Sequence, residues 1–222
     1  MFKETDLYLP VKNFLEGKGY EVKAEVTGAD VVAMQEGHPT VIVELKLAFT
    51  LDLVLQGVDR QTLTEDVYLA ILAPNTPQKR KNWRKKQRDY QKLCRKLGLG
   101  LMLVPAGEDE GNPVTVLLDP APYTPRKNRK KETRLIKEFT SRSGDPNTGG
   151  STRKTIVTAY RQDAIRCAEV LKEKGEMKVA DLRTETGVVK TASILQKNYY
   201  GWFERISRGV YALTDKGKVE IS

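Results

Sequence analysis

With 222 residues, 39% of them apolar and 30% charged, the chain has the composition of an ordinary globular protein, enough for one large domain or two modest ones. A single histidine and two distant cysteines exclude Ser-His-Asp and Cys-His catalysis, histidine-based zinc hydrolysis, a disulfide scaffold and a zinc knuckle. No apolar stretch reaches the roughly 20 residues of a membrane span, and Met1 to Asp6 contain no signal-like core, so a cytoplasmic protein with no membrane association is expected. Any chemistry must use carboxylates, Lys and Gln.

The first predicted element is a helix over 3–17, with Leu7, Val11, Phe14 and Leu15 at near-helical spacing; Pro10 should kink it or delay its start. Residues 20–26 and 29–34 alternate as strands around Thr27-Gly28. The turn Glu36-Gly37-His38-Pro39 leads into a third strand over 40–46, and His38 reads as a surface turn residue. This strand is apolar on both faces until Glu44, as a central strand is. A helix capped by Thr50 runs to about Leu63, and an apolar strand over 67–73 ends at Pro74-Asn75-Thr76-Pro77. A basic helix and strands over 99–104 and 114–118 complete an αβββαβαββ order, a layered α/β fold.

Residues 79–96 hold ten Lys or Arg against one Asp, a local charge of +9 that equals the net charge of the whole chain. Such a concentration is the footprint of a phosphate-backbone binder, although a solvated helix face explains a charge run equally well. Lys85, Lys86, Arg88 and Lys92 are its candidate nucleic-acid contacts.

Asp119-Pro120-Ala121-Pro122 starts a linker, and the glycine-containing loop over 143–151 lacks the Gly-Lys-Ser/Thr of a phosphate loop, so it reads as a connector. The last seventy residues read as helices over 154–174, 179–185 and 188–198, then two strands around Ser207-Arg208-Gly209. Three helices and a hairpin form the winged-helix plan, whose third helix usually enters a groove. Lys190, Thr191, Ser193, Lys197 and Arg208 are the corresponding candidate contacts.

Four ionisable residues interrupt otherwise apolar elements: Glu4, Asp30, Glu44 and Lys46. Glu44 and Lys46 share one face of their strand, and a tight turn at 36–39 brings Glu44 opposite residues 31–32, close to Asp30. Glu4 could close the set from the first helix. Phosphodiester hydrolysis needs a neutralised phosphate, an activated water and a stabilised leaving alkoxide. Carboxylate-held Mg²⁺ or Mn²⁺ supplies all three, and a nearby Lys adds positive charge to the transition state. Asp52, Gln56 and Arg60 form an i, i+4, i+8 stripe on the second helix. Gln56 could position water there and Arg60 hold phosphate, but an exposed face with local pairing is the simpler expectation. For Glu44 and Lys46 the simpler alternative is a surface ion pair worth roughly 0–1 kcal/mol, which an apolar central strand makes costly.

In this arrangement the sequence resembles the PD-(D/E)XK phosphodiesterase superfamily, through Glu4, Asp30, Glu44-Leu45-Lys46 and Gln56. More closely, it resembles a bacterial family of PD-(D/E)XK-like domains with a winged-helix-like tail. Glu4-Thr5-Asp6-Leu7-Tyr8, Val43-Glu44-Leu45-Lys46, Gly144-Asp145-Pro146-Asn147, Thr158-Ala159-Tyr160-Arg161-Gln162 and Tyr200-Gly201-Trp202-Phe203 carry that likeness over nearly the whole chain. Ala29 departs from it, since many members have Pro before the Asp.

The resemblance implies a restriction-endonuclease-like αβββαβ core and Mg²⁺-dependent cleavage, without a particular substrate. The expected organisation is a nuclease-like domain over 1–125 and a winged-helix-like nucleic-acid-binding domain over 130–222. The expected function is metal-dependent DNA endonuclease, with Asp30 and Glu44 as metal ligands, Glu4 as auxiliary ligand, Lys46 as catalytic cation and Gln56 as positioning residue. The alternative is an inert DNA-binding module or regulator. RNA as substrate and a homodimer that pairs two cuts stay open.

Overall fold

The computed structural model of the protein describes residues 2–105 and 114–221. The chain forms two compact units, Met1–Arg126 and Lys127–Ser222.

In the first unit a 3-10 turn over Glu4–Leu7 runs directly into α1 (Tyr8–Glu16). Of the two outcomes expected of Pro10, the delayed start is the one seen: the α-helix proper begins at Tyr8. Pro10 is the third residue of α1, where a backbone N–H has no intrahelical acceptor to lose. β1 (Glu21–Val26) and β2 (Ala29–Met34) form a hairpin through Thr27 and Gly28, at φ 54° and 78°. Positive φ at both turn residues matches the twist of the flanking strands.

β3 (Val41–Lys46), α2 (Leu51–Arg60), β4 (Val67–Leu72), α3 (Pro77–Leu97), β5 (Gly100–Val104) and β6 (Thr115–Leu118) follow, in the expected order of elements. The sheet runs β1-β2-β3-β4-β5-β6. β3, β4 and β5 are parallel, joined by α2 and α3; the outer pairings are antiparallel.

Each face of this sheet has its own core. Leu7, Val11 and Leu15 pack with Val31, Val43 and Leu45, while Leu53 and Val54 pack with Ile42, Leu69, Ile71 and Leu99. β3 is therefore covered on both faces, and its first five residues are buried. Alternation sends Val41, Val43 and Leu45 toward α1 and Ile42 toward α2. Glu44 is next on the side of Ile42, a place where an apolar residue would contribute about 1.5–3 kcal/mol. Gly57 lets α2 lie close above this strand pair, since a Cβ there would stand 2.6 Å from Leu69 Cδ2.

The second unit contains α4 (Arg129–Ser141), α5 (Ala159–Lys174), β7 (Met177–Lys178), α6 (Val179–Thr186), α7 (Thr191–Lys197), β8 (Phe203–Ser207), β9 (Val210–Leu213) and α8 (Asp215–Glu220). Its three strands are ordered β7-β9-β8, and Ala164, Leu171, Leu182, Ile194, Leu195 and Trp202 fill its core. α5 starts five residues later than the periodicity suggests. The Asn147 side chain bonds both the N–H and the carbonyl of Val157, each at 2.8 Å, and Thr158 then caps the helix by accepting from Arg161 N. Gln162 likewise holds both backbone groups of Ser143. Arg161 lies over the rings of Tyr200 and Trp202, at 5.0 and 5.2 Å. Each of the first two C-terminal motifs is thus tied to a residue beside the other, and Arg161 joins the second motif to the third, whose Trp202 lies in the core.

Candidate active site

The ladder between β2 and β3 runs from Ala33↔Val41 to Val31↔Val43. One residue further a side chain replaces backbone, as Asp30 Oδ2 accepts from Leu45 N at 2.8 Å. This bond satisfies a strand N–H and holds the Asp30 carboxylate against the end of β3.

Glu44, just before Leu45, is 0% exposed. Its Oε1 accepts from Arg60 Nε at 2.6 Å, and Arg60 Nη2 also donates to the carbonyl of Gly28. Oε2 is buried with no hydrogen-bond partner among the described residues. Burial pushes the Glu44 carboxyl above the ordinary carboxylate range; the Arg60 guanidinium opposes the shift and the charge of Asp30 reinforces it. The charge of Asp30 is thus felt at Glu44.

Lys46 reaches the other way, with Nζ 3.7 Å from Glu4 Oε1. Glu4 and Asp30 line one cleft of about 330 Å³ together with Tyr8, Ala24, Glu25 and Leu45. Glu44 and Lys46 are not among its lining residues.

The polar stripe of α2 does not close on itself by local pairing. Arg60 crosses to Glu44 and is held by protein, where a phosphate contact was expected. Gln56, one turn earlier on the same helix, has a buried Oε1 without a partner among the described residues. On α3, Lys85, Lys86, Arg88 and Lys92 are exposed and have no acidic partner among the described residues. In the second unit Lys190, Lys197 and Arg208 are exposed and Ser193 partly so. Thr191 corrects the expectation of a surface contact. It is 0% exposed and its hydroxyl donates to Val188 O at 2.6 Å, making it an internal brace for the start of α7.

The family described as "Putative PD-(D/E)XK phosphodiesterase (DUF2161)" matches residues 102–220, more than half of the chain. The chain belongs to this family. No curated protein and no solved structure matches it. The matched residues run from β5 to α8, so Asp30, Glu44 and Lys46 lie outside them.

PD-(D/E)XK nucleases generally use divalent metals, and the donor set here suits one. Among the described residues no three His, Cys, Asp or Glu side chains gather as a cage. Two interacting carboxylates, one with an orphaned buried oxygen, fit an ion such as Mg²⁺ or Mn²⁺ that prefers oxygen and retains several waters. A buried acceptor with no donor is a position that such an ion, or a water, would satisfy. Glu4 is paired with Lys46, so Asp30 and Glu44 are the carboxylates that would hold such an ion.

Sequence reasoning missed Glu25, which has φ 53° and sits in the hairpin across from Asp30, where pairing is interrupted between Ala24↔Val31 and Val26↔Ala29. No spacing rule marks it.

The like-charge contact yields the first prediction. Asn at position 30 can still accept from Leu45 N but no longer raises the Glu44 carboxyl. Asp30→Asn should stabilise the metal-free protein by up to about 1 kcal/mol and abolish any rise in melting temperature on adding Mn²⁺. A lower melting temperature in EDTA, or a metal-induced rise equal to wild type, would contradict this account of Asp30.

Proposed function

We propose that this member of the family is a divalent-metal-dependent nuclease acting on DNA, with its centre at Asp30, Glu44 and Lys46. The observation that carries the reading is the buried, half-unpaired Glu44 beside Asp30 on a strand otherwise given to core. Asp30 and Glu44 would hold the metal, which supplies Lewis-acid activation of water and phosphate. Lys46 places a positive charge two residues along the same strand, suited to the charge that develops on the phosphate. Glu4 holds that ammonium in place. Gln56 Oε1 offers an acceptor for orienting water. The exposed cations of α3 would bind the phosphate backbone.

The features that favour a winged-helix reading of the second unit are α5, α6 and α7 followed by the β8–β9 hairpin, with Lys190 and Lys197 exposed and Ser193 partly exposed at α7, and Arg208 exposed in the hairpin turn. Expressed as residues 127–222, it should bind duplex DNA weakly, with affinity falling steeply as salt rises. No gel shift at 50 mM salt would assign the unit a structural or dimerising role instead.

One observation favours an inert binding module. Arg60 already supplies a cation to Glu44, the charge that a metal would otherwise provide. Cleavage of labelled duplex, branched and single-stranded DNA and of RNA, each with Mg²⁺, Mn²⁺ or EDTA, separates the readings. Metal-dependent products from a DNA substrate support the nuclease; retention of DNA without products on any substrate supports the module.

A further inference from the structure

One cleft of the first unit is built from the helix that carries the chain's positive charge. It measures about 690 Å³, within the range of about 300–1,000 Å³ typical of small-molecule sites. It opens where the parallel strands β3 and β4 end. Ile71 and Leu72 of β4 form its floor, and Leu47 to Phe49, directly after Lys46, form one side. Lys46 pairs across the sheet with Ile71, so the cleft begins one strand spacing, about 5 Å, from the lysine of the candidate centre.

The other side is one face of α3: Lys79, Trp83, Lys86 and Tyr90, at i, i+4, i+7 and i+11. Tyr90 is stacked on Phe49 at 4.1 Å and 16°, and Trp83 leans on Tyr90 at 5.7 Å. Trp83 is half-buried, and among the described residues its indole N–H has no hydrogen-bond partner. The ammonium groups of Lys79 and Lys86 likewise lack acidic partners there. A buttressed aromatic surface framed by unpaired cations combines base stacking with phosphate neutralisation.

We infer that this cleft holds a single unstacked nucleotide of the bound strand, its base against Trp83 and its phosphate at Lys79 and Lys86. The site rests on the nucleic-acid reading proposed above and narrows it: the substrate has an unpaired or easily extruded nucleotide a step or two from the position of Lys46. In an intact duplex the neighbouring bases stack over both faces of a base, which leaves neither face open to Trp83. Single strands, gaps and mismatches therefore bind better than perfect duplex of the same length.

The test uses the full-length protein and 12-nucleotide single strands of DNA and of RNA with one 2-aminopurine, in EDTA so that no strand is cut. Binding should quench the fluorescence of the stacked base. Trp83→Ala should remove the quench and weaken binding at least fivefold while leaving the slope of log affinity against log salt unchanged, because stacking releases no counterions. Trp83→Phe should restore most of both signals, which guards against a folding defect in the alanine variant. Lys79→Gln with Lys86→Gln should lower the salt slope instead. DNA and RNA run in parallel show which strand the cleft prefers. Unchanged affinity and quench in Trp83→Ala overturn the site and leave the nuclease proposal standing. Quenching by a wild type that never cleaves in Mg²⁺ or Mn²⁺ overturns the nuclease proposal and leaves the site standing. No binding by the wild type to either strand overturns the site whatever the cleavage assay gives.

Discussion

Glu44→Ala is expected to abolish metal-dependent cleavage while DNA binding persists or tightens. The change removes a proposed ligand with a free buried oxygen and also a negative charge lying beneath the place that phosphates would approach. Lys46→Ala should lower turnover by about 10²–10³, the usual effect of losing one electrostatic contact to the transition state. Metal binding should survive in that variant, because the ammonium is not a ligand. Glu4→Ala, which frees the ammonium of Lys46, should reduce turnover less than either. Gel shifts and strand cleavage measured side by side distinguish these outcomes. Cleavage that survives in Glu44→Ala would remove Glu44 from the site.

Arg60→Ala carries the largest expected effect on stability. Arg60 is the hydrogen-bond partner of a carboxylate that is 0% exposed, while its own side chain is 21% exposed. Breaking a buried pair costs about 3–5 kcal/mol, and the residual exposure of Arg60 lowers the expectation to about 2–3 kcal/mol at pH 7. The pH dependence has a definite sign. Burial already raises the Glu44 carboxyl in the folded state, and loss of the guanidinium raises it further. A carboxyl raised by folding carries no penalty below its unfolded pKa of about 4.3, and the penalty grows as pH rises through the folded value. The stability gap between wild type and Arg60→Ala should therefore be wide at neutral pH and narrow toward pH 4. Mn²⁺ at pH 7 should recover part of it by taking over the charge that Arg60 supplied. Urea unfolding at both pH values, with and without metal, measures this; a gap that ignores pH would mean that the pair does not control Glu44 ionisation.

Which parts of this arrangement could be seen in the sequence follows from the range of the interactions. The strands were legible because their alternation and the turns at Thr27-Gly28 and Glu36 to Pro39 are local signals, and Glu44 stood out because an ion in a doubly covered strand has no local reason to be there. Arg60 was not legible: a polar i, i+4, i+8 stripe looks the same whether it faces water or a sheet. What decides it is the close seating of α2 at Gly57, a contact with Leu69 from the next strand. Thr191 misled for a related reason. Its neighbours Lys190 and Ser193 are polar, yet Thr191 turns inward to Val188 and Cys167. In α3 the density of Lys and Arg hid the spacing of Trp83 and Tyr90, because the stripe becomes visible only when Phe49 stacks on it from another element. The late start of α5 depended on Asn147, ten residues from the Val157 it clamps.

The most direct test of the central claim is nicking of supercoiled plasmid by the purified full-length protein across a Mg²⁺ and Mn²⁺ titration, with Asp30→Asn as the paired control. The account predicts open-circular product that appears with metal, vanishes in EDTA and is absent from Asp30→Asn at every metal concentration. Nicking that persists in EDTA, or that Asp30→Asn performs as well as the wild type, would contradict it.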